Sequence, residues 1–120
     1  MSRDHRKLRV FVLADRLVFD VYGASKKFPP DERYGLRSEI REAARSAATN
    51  IVEGSARRHQ NEYVNLLNIA HGSASEARYL SSVAARLGYI SNDVAEMLER
   101  DYSELCSGLV ALIASLDHRP

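Results

Sequence analysis

The sequence contains only one cysteine, no tryptophan, three prolines and six glycines among its 120 residues. A single cysteine, Cys106, excludes an internal disulfide framework and a zinc site made of several cysteines. So few prolines and glycines favour helices over a strand-rich fold, which would need many tight turns. The longest apolar-rich stretch, residues 105–116, is too short to span a bilayer as a helix, and no apolar signal segment follows the charged N-terminus. We therefore expect a cytoplasmic protein without a membrane segment.

Positive and negative charges are nearly balanced overall but unevenly distributed. The formal net charge is +1, so nothing in the total composition points to nucleic acid. Residues 1–58 contain 13 Lys and Arg against 8 Asp and Glu, whereas residues 59–120 contain 4 against 8. A basic half and an acidic half favour either self-association or the binding of a polyanion to one basic surface.

Apolar residues recur every three to four positions in four segments, which is typical of amphipathic helices. The pattern predicts helices at about 8–27, 32–57, 61–87 and 92–116. The prolines at 29 and 30 separate the first two helices, because a proline disfavours helical geometry in the residue before it. Gly88 is a natural end for the third helix. The short loops predict one domain over residues 1–120, an all-α antiparallel up-down-up-down four-helix bundle.

Two stretches of small residues, Ala43–Gly54 and Ile69–Ala77, predict that the second and third helices form the closest pair, because small side chains let helix axes approach. Four polar side chains lie beside these stretches: Asn50, Glu53, Ser73 and Glu76. We interpret them as a structural layer of hydrogen bonds that fixes the register of the two helices. The alternative is a carboxylate catalytic site built from the two glutamates.

The sequence lacks the motifs of the common catalytic and metal sites. No glutamate is followed three residues later by histidine, the spacing of di-iron bundles. There is no His-Glu-x-x-His helix and no phosphate-binding-loop lysine. His71 and Cys106 stand alone, without the neighbours that make a general base or a reactive thiol. We therefore expect no catalytic residue, no metal and no cofactor, and a protein that is not an enzyme.

Basic residues form three groups that are candidates for binding nucleic acid: Arg3, Arg6, Lys7 and Arg9 at the N-terminus; Arg37, Arg41 and Arg45 along one face of the second helix; and Arg57, Arg58 and His59 at the turn after it. For each group the alternative is a solvated surface, or charge that stabilises a helix C-terminus. In a ring-shaped oligomer each group would repeat, and weak patches would add electrostatically.

Several motifs together resemble one protein family: Phe28-Pro29-Pro30-Asp31-Glu32-Arg33-Tyr34-Gly35-Leu36, Asn50-Ile51-Val52-Glu53-Gly54, Gly72-Ser73 followed by Glu76, and Leu87-Gly88-Tyr89-Ile90. Over residues 8–116 the chain resembles the bacterial four helix bundle protein family. That family includes proteins encoded in 23S rRNA intervening sequences. The accessory variability proteins of diversity-generating retroelements are similar to it.

The resemblance implies a small helical bundle that assembles into a homopentamer. In the retroelement branch it also implies a non-enzymatic partner of a reverse transcriptase that binds RNA or DNA through a basic surface. The alternative is an oligomeric scaffold for protein–protein interaction, encoded in or near an rRNA intervening sequence. The chain departs from the family pattern at Glu39 and Glu42, where members often carry Gln and Arg. It also has His59 where members usually have a serine N-cap, so we expect the third helix to begin near Asn61.

Overall fold

The computed structural model describes residues 3–116, which contain four α-helices and no strand. The helices are α1 (Arg9–Ser25), α2 (Leu36–Ser55), α3 (Gln60–Arg86) and α4 (Asn92–Leu116). Two short 3-10 turns, His5–Lys7 and Pro30–Glu32, precede α1 and α2. The predicted all-α class is therefore confirmed. Within this part of the chain, no helix is both long enough and apolar enough to cross a bilayer.

The largest difference from the predicted helix bounds lies at the start of α2. We expected this helix to begin near residue 32, but the backbone at Gly35 has φ −112° and ψ −115°, outside the helical region. The helix starts at Leu36, whose backbone N–H donates to Oε1 of Glu32 at 3.1 Å. Oε2 of the same carboxylate accepts from the hydroxyl of Tyr89 at 3.1 Å. Glu32 therefore caps α2 from outside and also ties this turn to the loop between α3 and α4.

The ends of α3 follow different capping chemistry. His59 is the N-cap and has extended geometry, and its side chain makes no capping hydrogen bond. The helix nevertheless begins at Gln60, slightly earlier than predicted, and Oδ1 of Asn61 accepts from the N–H of the next residue at 3.0 Å. At the other end Gly88 has φ +78°, a conformation that favours glycine, and it ends the helix as predicted.

Each helix contacts its neighbours along the chain, and α1 also contacts α4. The contacts between α1 and α2 run in opposite directions along the two helices. Arg41 reaches Ser25, whereas Arg45, one turn later on α2, reaches Tyr22, which lies earlier on α1. This order is compatible with the predicted antiparallel up-down-up-down arrangement.

The most extensive contact joins α2 and α3, and it buries the small residues of both helices. Exposure is 3% or less for the alanines at its centre: Ala43, Ala44, Ala47, Ala70, Ala74 and Ala77. Gly54 shows how close the helices come, since a β-carbon there would lie 2.9 Å from Cδ1 of Tyr63 and 3.3 Å from Cβ of Leu66. The close approach of α3 therefore requires a residue without a side chain at this position of α2.

The contact between α1 and α4 is the least extensive of the four helix pairs. A buried carboxylate, Asp101, joins these helices by accepting hydrogen bonds from Arg16 at 2.8 Å and from Arg100 at 3.2 Å. An open groove of about 680 Å³ runs beside this link, lined by both helices. The lateral surface of the bundle is therefore least closed between α1 and α4.

Candidate nucleic-acid interface

The polar side chains beside the α2–α3 contact form a smaller network than the sequence predicts. The hydroxyl oxygens of Ser46 and Ser73 lie 2.7 Å apart and join the two helices. Asn50 donates to the backbone carbonyl of Ser46 at 2.8 Å and to its hydroxyl at 3.1 Å. Asn50 and Ser73 therefore belong to one hydrogen-bonded link across the contact, with Ser46 at its centre.

The predicted carboxylate members of this layer, Glu53 and Glu76, lie outside it. Both side chains are exposed, and neither has a hydrogen bond or ion pair among the described residues. The prediction that these glutamates take part in the buried layer is therefore wrong. Nothing in this part of the chain positions them as a catalytic pair.

Two of the three arginines in the second basic group take part in the contact between α1 and α2. Arg41 donates from Nε to the hydroxyl of Ser25 at 2.7 Å, and its guanidinium lies 4.5 Å from the centre of the Tyr22 ring. Arg45 donates to the hydroxyl of Tyr22 at 2.6 Å. Arg37 is half-buried and has no side-chain hydrogen bond in residues 3–116. The partners are uncharged, so the positive charge remains, but two of the three side chains hold α1 against α2.

Within the first basic group, Arg6 is neutralised by its neighbour. Its Nε and Nη2 donate to the two carboxylate oxygens of Asp4, each at 3.0 Å. This hydrogen-bonded pair raises the pKa of Arg6 above its ordinary value. Lys7 lies in the short 3-10 turn, and its side chain is outside the described part of the structure. Arg6 is therefore a weak candidate for a phosphate contact, because two donors of its guanidinium already bind a carboxylate.

The third basic group meets the N-terminal segment in a recess at one end of the molecule. Arg57 and Arg58 line this recess of about 500 Å³ together with Arg3, His5 and short side chains from the end of α2. None of the lining residues is acidic. Arg3 and the Arg57–Arg58 pair belong to separate groups in the sequence, and the motifs assign no role to His5. We call this feature the basic recess.

Arg3 is held in the basic recess by two uncharged partners. Its Nη1 donates to the backbone carbonyl of Arg57 at 2.9 Å, and its guanidinium lies 4.3 Å from the centre of the Tyr63 ring. Burial raises the pKa of Tyr63, and the neighbouring Ser55 hydroxyl and Arg3 guanidinium oppose this rise. Because none of these partners carries a negative charge at neutral pH, the positive charge of Arg3 is uncompensated by them.

The second basic group and the basic recess lie at different places along α2. Arg37 is in the first turn of this helix, whereas Arg57 follows its last turn. At the rise of an α-helix, twenty residues correspond to roughly 30 Å. The two groups are therefore separate surfaces in one copy of the chain. Of these two surfaces, the basic recess is a concave site, with three arginines and no acidic residue in its lining.

The other chemically reactive side chains do not form a site in the described part of the chain. No group of three His, Cys, Asp or Glu residues there could hold a metal ion. Cys106 is buried, with Sγ 3.7 Å from the hydroxyl of Ser75. The imidazole of His71 is half-buried and has no hydrogen bond within residues 3–116.

The fold and the motifs identify the family of this helical protein. The family model described as 23S rRNA-intervening sequence protein matches residues 6–111, so the chain belongs to that family, as its motifs predicted. No curated protein matches the chain. Its structure is similar to a crystal structure from Bacteroides thetaiotaomicron, described as a protein with unknown function from the S23 ribosomal protein family, with a TM-score of 0.80. The two chains are 22% identical, and the similarity covers 87% of this chain and 97% of the other, which supports the fold.

Proposed function

We propose that this member of the 23S rRNA-intervening sequence family is a non-enzymatic, homo-oligomeric bundle protein that binds nucleic acid. The single observation that carries the proposal is the basic recess, in which Arg3, Arg57 and Arg58 converge with His5 and without an acidic lining residue. Arginine is suited to this role because its planar guanidinium donates two parallel hydrogen bonds to a phosphate. An antiparallel order of α1 and α2 would put the N-terminal segment and the end of α2 at the same end of the bundle, which would account for this convergence.

The charge of the whole chain favours short-range contacts over long-range attraction. With a net charge of +1, one copy has almost no overall field to draw in a polyanion. Salt screens exposed charges over about 8–10 Å, so only phosphates at or near the recess would interact strongly. Binding by a single copy would therefore be weak, and repetition of the recess in an oligomer would increase the avidity.

Exposed apolar side chains support self-association. Val12, Phe19 and Val110 are 56%, 69% and 54% exposed, and they lie on α1 and α4, the helices that flank the open groove. Burying such side chains against another copy would remove apolar area from water at about 25 cal/mol per Å². The proposed number of copies, five, rests on the family resemblance, as does the proposed role as partner of a retroelement reverse transcriptase.

A charge-reversal experiment tests the proposed interface. Arg57→Glu/Arg58→Glu should abolish the electrophoretic shift of a structured RNA or of single-stranded DNA at low salt. Lys26→Glu/Lys27→Glu is the matched control, because it makes the same change in charge on exposed side chains at the far end of α1. If the parent protein shifts neither RNA nor DNA, the proposal is wrong. If only the lysine variant loses binding, the interface is at the other end of the bundle.

An Arg37/Arg41/Arg45→Glu variant is a poorer test of binding. It would remove the hydrogen bonds from Arg41 and Arg45 to α1, so a loss of binding could follow from a loss of folding. The charge-reversal pair at Arg57 and Arg58 avoids this difficulty, because both side chains are exposed and their residues lie beyond the last turn of α2.

A second candidate function is an oligomeric scaffold that binds only proteins. The exposed apolar side chains of α1 and α4 favour it, since exposed apolar patches often mark protein interfaces. A partner protein that co-purifies with the chain after nuclease treatment, and that is retained by Arg57→Glu/Arg58→Glu, would support the scaffold over nucleic-acid binding.

A further inference from the structure

The shape of the basic recess limits which part of a nucleic acid could enter it. Its volume of about 500 Å³ is in the range of small-molecule pockets, which typically measure about 300–1,000 Å³. The rigid cylinder of a duplex is far wider than such a pocket. A group that projects from a strand, such as a terminal phosphate with its sugar, is of the right size.

The lining of the recess matches the charge of a terminal phosphate better than that of an internal one. A phosphomonoester carries about 1.5 to 2 negative charges near neutral pH, whereas each internal phosphodiester carries one. Three arginines line the recess and no carboxylate does, so the site offers more positive charge than a single diester can neutralise. His5 adds an imidazole, which can donate a hydrogen bond to a phosphate oxygen in either protonation state.

One side of the recess is held in place and the other is free to move onto a ligand. Arg3 is fixed by the carbonyl of Arg57 and by the ring of Tyr63, and the ring of His5 packs edge-on against Phe11 at 4.7 Å. The exposed side chains of the two arginines after α2 have no hydrogen bond or ion pair among residues 3–116. Fixed donors reduce the entropy lost on binding, and mobile arginines can close over the anion.

We propose that the basic recess binds the terminal phosphomonoester of a nucleic-acid strand, with Arg3 as the fixed contact and Arg57 and Arg58 as the closing contacts. The inference rests on the proposed nucleic-acid function and specifies its ligand. It accounts for a concave site without an acidic lining residue on a protein whose net charge is only +1.

Three oligonucleotides of one sequence test this inference: one with a 5′-phosphate, one with a 3′-phosphate and one with hydroxyls at both ends. We expect at least one phosphorylated form to bind about tenfold more tightly than the hydroxyl form, since one additional charge-assisted contact commonly has this effect. Arg3→Met should reduce this ratio to about one, because it keeps an unbranched apolar side chain but removes the charge and the donors. Lys26→Met, a matched change at the far end of α1, should leave the ratio unchanged.

The possible results distinguish the inference from the function on which it rests. Equal binding of all three oligonucleotides would overturn the terminal-phosphate site and leave nucleic-acid binding intact. No binding of any of them would overturn both. Competition by adenosine monophosphate at the same affinity as the phosphorylated strand would also overturn the inference, because the site would then recognise a free nucleotide. Inefficient competition by the nucleotide, together with the phosphate-dependent ratio, would support it.

Discussion

Arg3 donates a hydrogen bond from its guanidinium to the backbone carbonyl of Arg57, at 2.9 Å, across 54 positions of the sequence. This contact fastens the segment before α1 to the turn between α2 and α3. Two basic groups that are distant in the sequence thereby line one recess. The convergence of charge that supports the proposed nucleic-acid binding thus depends on folding, because the two groups are distant in the sequence.

The contact of Gly54 with α3 predicts opposite effects of alanine at two helical glycines. In Gly54→Ala the new β-carbon would meet the ring of Tyr63 at 2.9 Å, so we expect a loss of about 1–3 kcal/mol in the free energy of unfolding. A β-carbon at Gly72, within α3, would meet no heavy atom within 4 Å. Gly72→Ala should therefore stabilise the protein by about 0.5–1 kcal/mol, because alanine has the higher helix propensity. Chemical denaturation measures both, and equal effects would contradict the close approach of α2 and α3.

The buried hydroxyl of Tyr102 predicts a stabilising substitution. This oxygen has no hydrogen-bond partner in the described part of the chain, and burial raises the pKa of Tyr102 far above its ordinary value. Tyr102→Phe should raise the free energy of unfolding by about 1 kcal/mol, since it removes an unsatisfied polar group and keeps the buried ring. Tyr63→Phe, which removes a hydroxyl beside Ser55, is the comparison and should destabilise. A loss of stability in Tyr102→Phe would show that its hydroxyl has a partner.

The ion pair between Arg78 and Glu99 predicts a small acid sensitivity. The hydrogen bond from Arg78 lowers the pKa of Glu99 below the ordinary value of 4.5. Because the folded-state pKa is the lower one, the pair stabilises the protein above pH 4.5, and this contribution is lost as pH falls through the folded-state pKa. Thermal unfolding of Glu99→Gln and of the parent should therefore converge at acid pH and differ above it. A difference that grows on acidification would contradict this assignment.

The apolar side chains on α1 and α4 predict a variant that dissociates without unfolding. Phe19→Glu/Val110→Glu should lower the mass measured by light scattering to that of one chain, 13.5 kDa, while the helical circular dichroism stays unchanged. Tyr34→Glu is the control, because Tyr34 is 86% exposed and lies in the loop before α2. A parent protein that already has the mass of one chain would overturn the proposed self-association.

The helices and their buried faces were predictable because apolar spacing and small residues depend on local sequence. The α2–α3 contact follows from its alanines and from Gly54, and the stop at Gly88 follows from its positive φ. The start of α2 was predicted too early because an acidic residue is typical of the first turn of a helix. Glu32 instead lies in the turn before α2 and accepts a hydrogen bond from the first N–H of the helix.

The candidate site was only partly predictable. An up-down-up-down bundle puts the start of α1 and the end of α2 at the same end, so the nearness of the first and third basic groups was implicit in the predicted topology. The sequence did not predict which basic side chains make hydrogen bonds within the protein, because those contacts join residues that are distant in the sequence. Arg41 binds Ser25 and Tyr22, whereas the exposed side chains of Arg57 and Arg58 have no hydrogen bond or ion pair in the described part of the chain.

The salt dependence of nucleic-acid affinity is the most direct measure of phosphate binding in the basic recess. We would measure the dissociation constant of a labelled strand by fluorescence anisotropy over a series of salt concentrations. If the recess binds phosphate, Arg57→Ala/Arg58→Ala should lower the slope of log affinity against log salt by about two, or about one for each arginine–phosphate contact removed. Lys26→Ala/Lys27→Ala should leave that slope unchanged. An arginine variant with the slope and affinity of the parent would contradict the basic recess as the nucleic-acid interface.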